Sequence, residues 1–433
     1  MFHKYVLSRV GSNTRKILGN SSWMLFEQIS RMLLGLFVGV LIARHLGPME
    51  FGNLSFLQAY ISLFSIISAL GLNRIVVREL VNVSGDAEKE KEIIITAFCM
   101  RVSAAVVLFV VCVAVGVIFN QSRMDYIFII SFSLFFTPFE TFELLFQART
   151  NSRPVACARS IVFFGSAVLK MILLFLGAGL QVFVVMCLVD VILSAVAVKI
   201  TYKMKWGALY FNQFNFKAAK NMLTESWSEI IAAFSGMLFM RIDQIMLANL
   251  AGPDAVGVFS AASKISEMWY FVPVAIVASA FPTIVASREH GDALYWKRLG
   301  RLMNALVGLS YVVLIITFSS AAYFIPLVYG ADYVESVPVL YIHIWCGLMV
   351  CFAQVSGAWL VNEKKIRLNL FRNVLGAVIN LVLNFALIPV YGPVGAAIAT
   401  MLSFMFAYFI FDLFYPPMKK MGLLKLRSLL LAA

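Results

Sequence analysis

Sixteen ionisable side chains fall inside stretches of this sequence that are otherwise apolar, and any chemistry must start from them. The bases are Arg31, Arg101, Arg159, Lys170, Arg241, Lys264 and Arg372. The acids are Glu27, Glu140, Glu143, Asp190, Glu225, Glu229, Asp243, Glu267 and Asp412. The apolar stretches run for about 20 residues, the length that crosses roughly 30 Å of hydrocarbon at 1.5 Å per residue. A charge at the bilayer centre costs about 2.5–3.5 kcal/mol, so sixteen facing lipid would cost on the order of 40 kcal/mol. That exceeds the stability of an ordinary fold several-fold. Most of these charges must face one another or a wet cavity.

Spacing narrows what they can do. Glu27 and Arg31 are i,i+4, and Lys264 and Glu267 are i,i+3. Each pair shares a helix face, where it either neutralises itself for insertion or presents charge to a cavity. Arg241 and Asp243 are two apart and point in different directions. Arg372, Gly376, Asn380 and Asn384 recur every four residues as a polar stripe flanked by Asn369 and Asn373. Asparagine amides suit sugar hydroxyls, and equally suit hydrogen bonds between membrane helices. Arginine forks at Arg159 and Arg372 suit phosphate oxygens held from two sides. The candidates for anion and sugar binding are therefore Arg31, Arg159, Arg241, Lys264, Arg372, Asn380 and Asn384. Those for exchanging a coupling ion are Glu229, Asp243, Glu267 and His343. Gly35 and Gly39 form a GxxxG, which reads as close helix packing. The six cysteines lack metal-ligand spacing, and neither a metal nor a cofactor is expected.

The elements that must position these residues are membrane helices. Of 433 residues, 61% are hydrophobic and only 13% charged, which excludes a soluble multidomain enzyme. The apolar blocks predict an all-α integral membrane protein of twelve spans, in two six-helix lobes around a central cavity. The expected organisation is an N-terminal segment 1–21, a first lobe 22–200, a linker 201–222, a second lobe 223–415 and a basic tail 416–433. Alternate loops and both termini hold 26 basic residues, whereas the opposite loops hold only Arg44 and Arg123. That asymmetry predicts both termini in the cytoplasm. It also accounts for most of the net charge of +13 through anionic lipid, with no nucleic-acid partner. The outward loops are too short for a catalytic domain, and no GxxxxGK[ST] is present for driving an ATP pump. A transporter rather than an enzyme is expected.

The chain also repeats itself. Leu41–Ser55 aligns without a gap with Met246–Ser260, matching Ala43, Gly47, Pro48, Gly52 and Ser55 to Ala248, Gly252, Pro253, Gly257 and Ser260. In each copy Gly-Pro makes a tight turn after a first helix, and the second glycine opens the next helix. A weaker match joins Arg159 to Arg372. Six spans per repeat predict two parallel lobes related by an axis along the membrane normal.

Three stretches carry a family resemblance. Leu41-Ile42-Ala43-Arg44-His45-Leu46-Gly47-Pro48 with Phe51-Gly52 resembles the first-helix signature of polysaccharide-biosynthesis flippases of the multidrug/oligosaccharidyl-lipid/polysaccharide export superfamily. Arg241–Leu247 followed by Val256–Glu267 resembles their second-lobe signature, and Ile388–Thr400 their last inter-helix turn. One departure is visible: relatives that flip the peptidoglycan precursor carry an Arg-Asp pair midway along the first helix, where this chain has Phe37-Val38-Gly39. The resemblance implies alternating-access export of an undecaprenyl-pyrophosphate-linked oligosaccharide, such as an O-antigen or capsule repeat unit, across the bacterial inner membrane. It also implies membrane lipids, a polysaccharide polymerase and a chain-length regulator as partners. A drug/cation antiporter of the same superfamily is the alternative, and a membrane polymerase or ligase a more distant one. Moving a pyrophosphate of roughly −2 charge outward gains about 4–5 kcal/mol from a 100 mV potential, so ion exchange would add bias to such a cycle.

Overall fold

The computed structural model describes residues 12–119, 121–207 and 213–432, with side chains from Ser30 onward apart from Gln121. Glu27 lies outside the described side chains, so its expected pairing with Arg31 does too. The described chain is helical throughout, with no strand. Ten helical runs are long and apolar enough to cross a membrane: α1 (Ser30–Asn82), α2 (Ala87–Phe119), α3 (Met124–Ala148), α4 (Arg153–Phe175), α5 (Leu180–Trp206), α6 (Phe216–Leu250), α7 (Pro253–His290), α8 (Asp292–Tyr329), α9 (Ser336–Asn362) and α10 (Ile366–Phe414). A shorter helix, α11 (Lys419–Leu429), follows. The protein is a multi-pass membrane protein. Ten runs stand where twelve spans were expected because α1 and α10 each hold two. Their halves meet at Gly47 (φ 72°) and Gly392 (φ 53°), left-handed positions that glycine occupies without strain.

Two compact units form. Of the described residues, those up to Gly39 and within 61–234 form one, and those within 40–60 and from Ser235 onward form the other. The boundaries of these units fall inside α1 and α6.

In the first unit an apolar core of Leu72, Val76, Ile94, Phe142, Phe146 and Tyr202 surrounds one buried base. Arg101 is sealed from solvent and donates to Asn73 Oδ1 at 2.6 Å and Thr141 Oγ1 at 3.2 Å. Asn215 caps α6, accepting from the Ala218 amide at 3.0 Å. Further along that helix Glu225 receives both forks of Arg78 at 2.7 Å.

In the second unit the two copies of the repeat touch each other. A Cβ on Gly52 would fall 1.8 Å from the Pro253 carbonyl oxygen, and one on Gly257 would fall 2.0 Å from that of Pro48. Each copy's proline carbonyl therefore sits on the other copy's glycine, a reciprocal contact of the kind a two-fold axis generates. The second glycine of each motif is present for this approach and not merely to open a helix. Tyr333 reinforces the same end, donating to the Ala43 carbonyl at 2.8 Å. By contrast, Gly39 has no atom within 4 Å of a would-be Cβ, so the GxxxG of α1 seats no neighbouring backbone.

Arg372 occupies a different place from the one its stripe suggested. It has no exposed surface, and its Nη1 lies 3.0 and 3.2 Å from the two oxygens of Asp412 and 3.0 Å from Ser356 Oγ. Its Nη2 donates to Asn369 at 2.7 Å. Lys425 of α11, equally buried, donates to the same Asp412 and to the Tyr408 carbonyl at 2.6 Å. Two cations thus share one carboxylate in a closed cluster that fastens α11 to α10. The expectation that Arg372 offers its fork to a phosphate is corrected here. Its partner lies 40 residues away on the far half of α10, beyond the reach of any local spacing rule.

Two outcomes are expected from thermal melts in detergent. Gly52→Ala and Gly257→Ala should each destabilise by about 3 kcal/mol, the upper end for over-packing, while Gly39→Ala should be near neutral. Within the buried cluster, Asp412→Asn strands two cations and should cost about 3–5 kcal/mol, whereas Lys425→Met leaves the balanced Arg372–Asp412 pair and should cost less. The reverse order would contradict this reading of the cluster.

Candidate functional site

One buried carboxylate has no cation beside it. Asp243, 2% exposed on α6, takes its hydrogen bonds from neutral groups of α10. Its Oδ1 accepts from Asn380 Nδ2 at 3.1 Å and from Asn384 Nδ2, and its Oδ2 accepts from the Thr400 hydroxyl at 2.6 Å. Asn380 and Asn384 are one turn apart and fully buried, and Asn384 Nδ2 also donates to Asn380 Oδ1 at 3.1 Å. The periodic stripe therefore divides in two: Arg372 turns to Asp412, while the two asparagines turn to Asp243. Both donate across helices to Asp243. Among the described residues no basic nitrogen lies within 4.0 Å of the Asp243 carboxylate. The Asn384 Oδ1 is likewise buried without a partner.

Beside Asp243 lies a cavity of about 20 Å³ lined also by Glu267, Tyr270, His343 and Thr400. That volume holds about one water or one bare ion. Glu267 of α7 approaches Arg241 at 4.0 Å, so Arg241 serves Glu267 and not its near neighbour Asp243. His343 of α9 is 3% exposed, with Nδ1 2.9 Å from Ser266 Oγ and its ring edge-on to Phe259. Lys264 stacks its ammonium 4.4 Å from the Phe51 ring centroid, a cation–π contact. Three of the four expected ion-exchange residues, Asp243, Glu267 and His343, converge on one cavity. Glu229 does not: it belongs to the first unit, 3.5 Å from Arg74.

Arg159 lines a separate cavity of about 170 Å³ within the first unit, with Thr137, Glu140, Asp190 and Ser194. Its guanidinium sits 2.9 Å from Glu143 and 3.7 Å from Glu140, and Asp190 is bound by Lys170 and Ser166. Arg31 is half-buried on α1. In the sequence Thr400 is visible only as the end of the Ile388–Thr400 signature, Asp412 only as one of the nine intramembrane acids, and Lys425 only as part of the basic tail. No local spacing joins any of the three to its partners.

The chain is similar in sequence and fold to known proteins. Residues 17–288 match the family model described as Polysaccharide biosynthesis protein, and residues 230–386 match the MatE model. A "Probable flippase AglR" of Haloferax volcanii is 30% identical over 172 residues, 39% of this chain. The match spans only 36% of that relative's own length. Among solved structures, the lipid II flippase MurJ in an inward closed conformation superposes with a TM-score of 0.68 at 14% identity, over 94% of this chain and 91% of that one. An inward-facing multidrug resistance MATE family transporter gives 0.66 at 13% identity, over 87% and 93%. These two likenesses carry the fold, and the first family match carries the relationship. The chain belongs to the polysaccharide biosynthesis protein family, within the multidrug/oligosaccharidyl-lipid/polysaccharide superfamily of flippases and transporters.

Proposed function

We propose that this protein flips a lipid-linked oligosaccharide, of the O-antigen or capsule type carried on undecaprenyl pyrophosphate, from the cytoplasmic to the outer leaflet of a bacterial inner membrane. Its termini face the cytoplasm in this reading, and a polymerase and chain-length regulator act next on its product. The observation that carries the proposal is the polysaccharide-biosynthesis match over residues 17–288, seconded by the flippase relative. The MatE match over 230–386 favours drug/cation antiport as the second reading. No reaction on the glycan is proposed.

The geometry around Asp243 supplies a coupling device for either reading. An ionised carboxylate buried without a cation is costly, and neutral donors offset only part of that cost. A proton or a small monovalent cation entering the adjacent cavity removes the imbalance. The Asp243 carboxylate and the Thr400 hydroxyl, both lining that cavity, are the hard oxygen donors such an ion prefers. Loading and unloading this site in turn gives the transporter two electrostatic states, and the energy of the ion gradient enters through the difference between them. Arg31 and Arg159 in the first unit, and Arg241 and Lys264 in the second, are proposed as separate contacts for the pyrophosphate, with Arg159 and Arg241 exchanging their carboxylate partners for it. Asp243→Asn keeps the shape of the side chain and removes its charge. In a flippase-null strain complemented with this gene it should lower surface glycan at least tenfold at normal protein level. Wild-type glycan with Asp243→Asn would contradict the coupling role, and export of cationic drugs without glycan rescue would favour the second reading.

A further inference from the structure

At the basic end of the second unit, the close of α7 and the start of α8 enclose a groove of about 560 Å³ lined by Ala280, Thr283, Ile284, Arg298, Arg301 and Leu302. Arg298 and Arg301 are i,i+3 and so share one helix face. No carboxylate lines the groove, and neither arginine forms an ion pair among the described residues. Their neighbour Arg288 shows what such a base otherwise does here: it binds Asp292 at 3.3 Å and Glu363 at 2.6 Å.

An aromatic cluster packs beside the pair, with Tyr295 and Trp359 buried in the protein. Tyr295 and Trp296 pack edge to face, Trp296 lies 6.1 Å from Trp359, and Lys420 caps the Trp296 ring at 4.2 Å. At 1.5 Å per residue, Arg298 and Arg301 lie about 3 and 7.5 Å further along α8 toward its apolar stretch. Two guanidinium groups thus line one open groove at the start of the apolar stretch of α8, with a hydroxyl across the groove and no carboxylate in its lining.

We propose that this groove is a binding site for the phosphate of a membrane lipid, with Arg298 and Arg301 each giving a fork to its oxygens and Thr283 giving its hydroxyl. The shared chemistry is a lipid-borne phosphate or diphosphate. Its source is either an anionic phospholipid or a polyprenyl diphosphate waiting at the membrane surface, and only the second rests on the flippase reading above. The Arg fork is the side chain suited to this task, since it meets two oxygens at once where lysine meets one.

The test is native mass spectrometry of the purified full-length protein, exchanged separately against phosphatidylglycerol, farnesyl diphosphate and uncharged diacylglycerol. Wild-type protein should retain phosphatidylglycerol, farnesyl diphosphate or both. The double variant Arg298→Gln/Arg301→Gln should retain at least tenfold less of whichever binds, with diacylglycerol unchanged. Retention confined to phosphatidylglycerol identifies a structural phospholipid, and preference for farnesyl diphosphate identifies a carrier site; both uphold the phosphate site. Equal retention by wild type and variant overturns it. Should the variant fail to fold, inorganic pyrophosphate titrated against the lipid-loaded wild type replaces it: displacement supports the site, and none overturns it. Glycan export in cells scores the flippase reading separately, so either can fail while the other stands.

Discussion

A charge taken into hydrocarbon must meet an opposite charge or a dense set of hydrogen bonds, because water is absent and the local dielectric is low. This constraint arranges much of the interior. Arg372 and Lys425 close on Asp412, Lys170 on Asp190, and Arg159 on Glu143. Arg101, with no carboxylate in reach, is held by Asn73 and Thr141. Against that background Asp243 is the exception: its three donors are neutral, and a cavity the size of one ion lies against it. The fully buried cations Arg372 and Lys425 are closed off by their shared carboxylate, whereas Arg159 still lines a cavity. Asp243, buried and held only by neutral donors among the described residues, is the carboxylate to which the proposed coupling role is given.

The two glycine motifs illustrate a second constraint, that backbone must meet backbone without intervening side chains. Gly47 and Gly252 supply the left-handed turn in each copy, with φ of 72° and 91°. Gly52 and Gly257 then admit the other copy's proline carbonyl. One structural demand, made twice and reciprocally, accounts for the spacing Gly-Pro-x3-Gly in both halves. The repeat is legible as sequence, but the contact between its copies is not, because alignment shows likeness and says nothing of touching.

Much of the architecture can be read from hydropathy and punctuation. Twelve apolar stretches and the Gly-Pro turns predict the helices, and the non-helical Gly47 and Gly392 divide α1 and α10 where those turns fall. The site is half legible. Asp243, Glu267 and His343 announce themselves as rare ionisable groups in apolar helices, and they meet. Arg372 misleads, since its period-four alignment with Asn380 and Asn384 suggests one common face. Gly376 explains why the stripe divides. A Cβ there would fall 2.6 Å from the Phe239 ring, so an aromatic side chain of α6 is wedged between the two polar groups. Glu229 and the Asp412–Lys425 pair show the same limit: which charge answers which is decided by packing between helices, where local spacing carries no information.

The central claim is that the Asp243 carboxylate loads and unloads a small cation as the transporter cycles. Its most direct measurement is headgroup translocation in proteoliposomes with the membrane potential clamped and a proton or sodium gradient imposed in turn. The account predicts that one of the two gradients changes the wild-type rate severalfold and that the rate in Asp243→Asn ignores both. A wild-type rate indifferent to either gradient, or an Asp243→Asn rate that follows the gradient as wild type does, would contradict it.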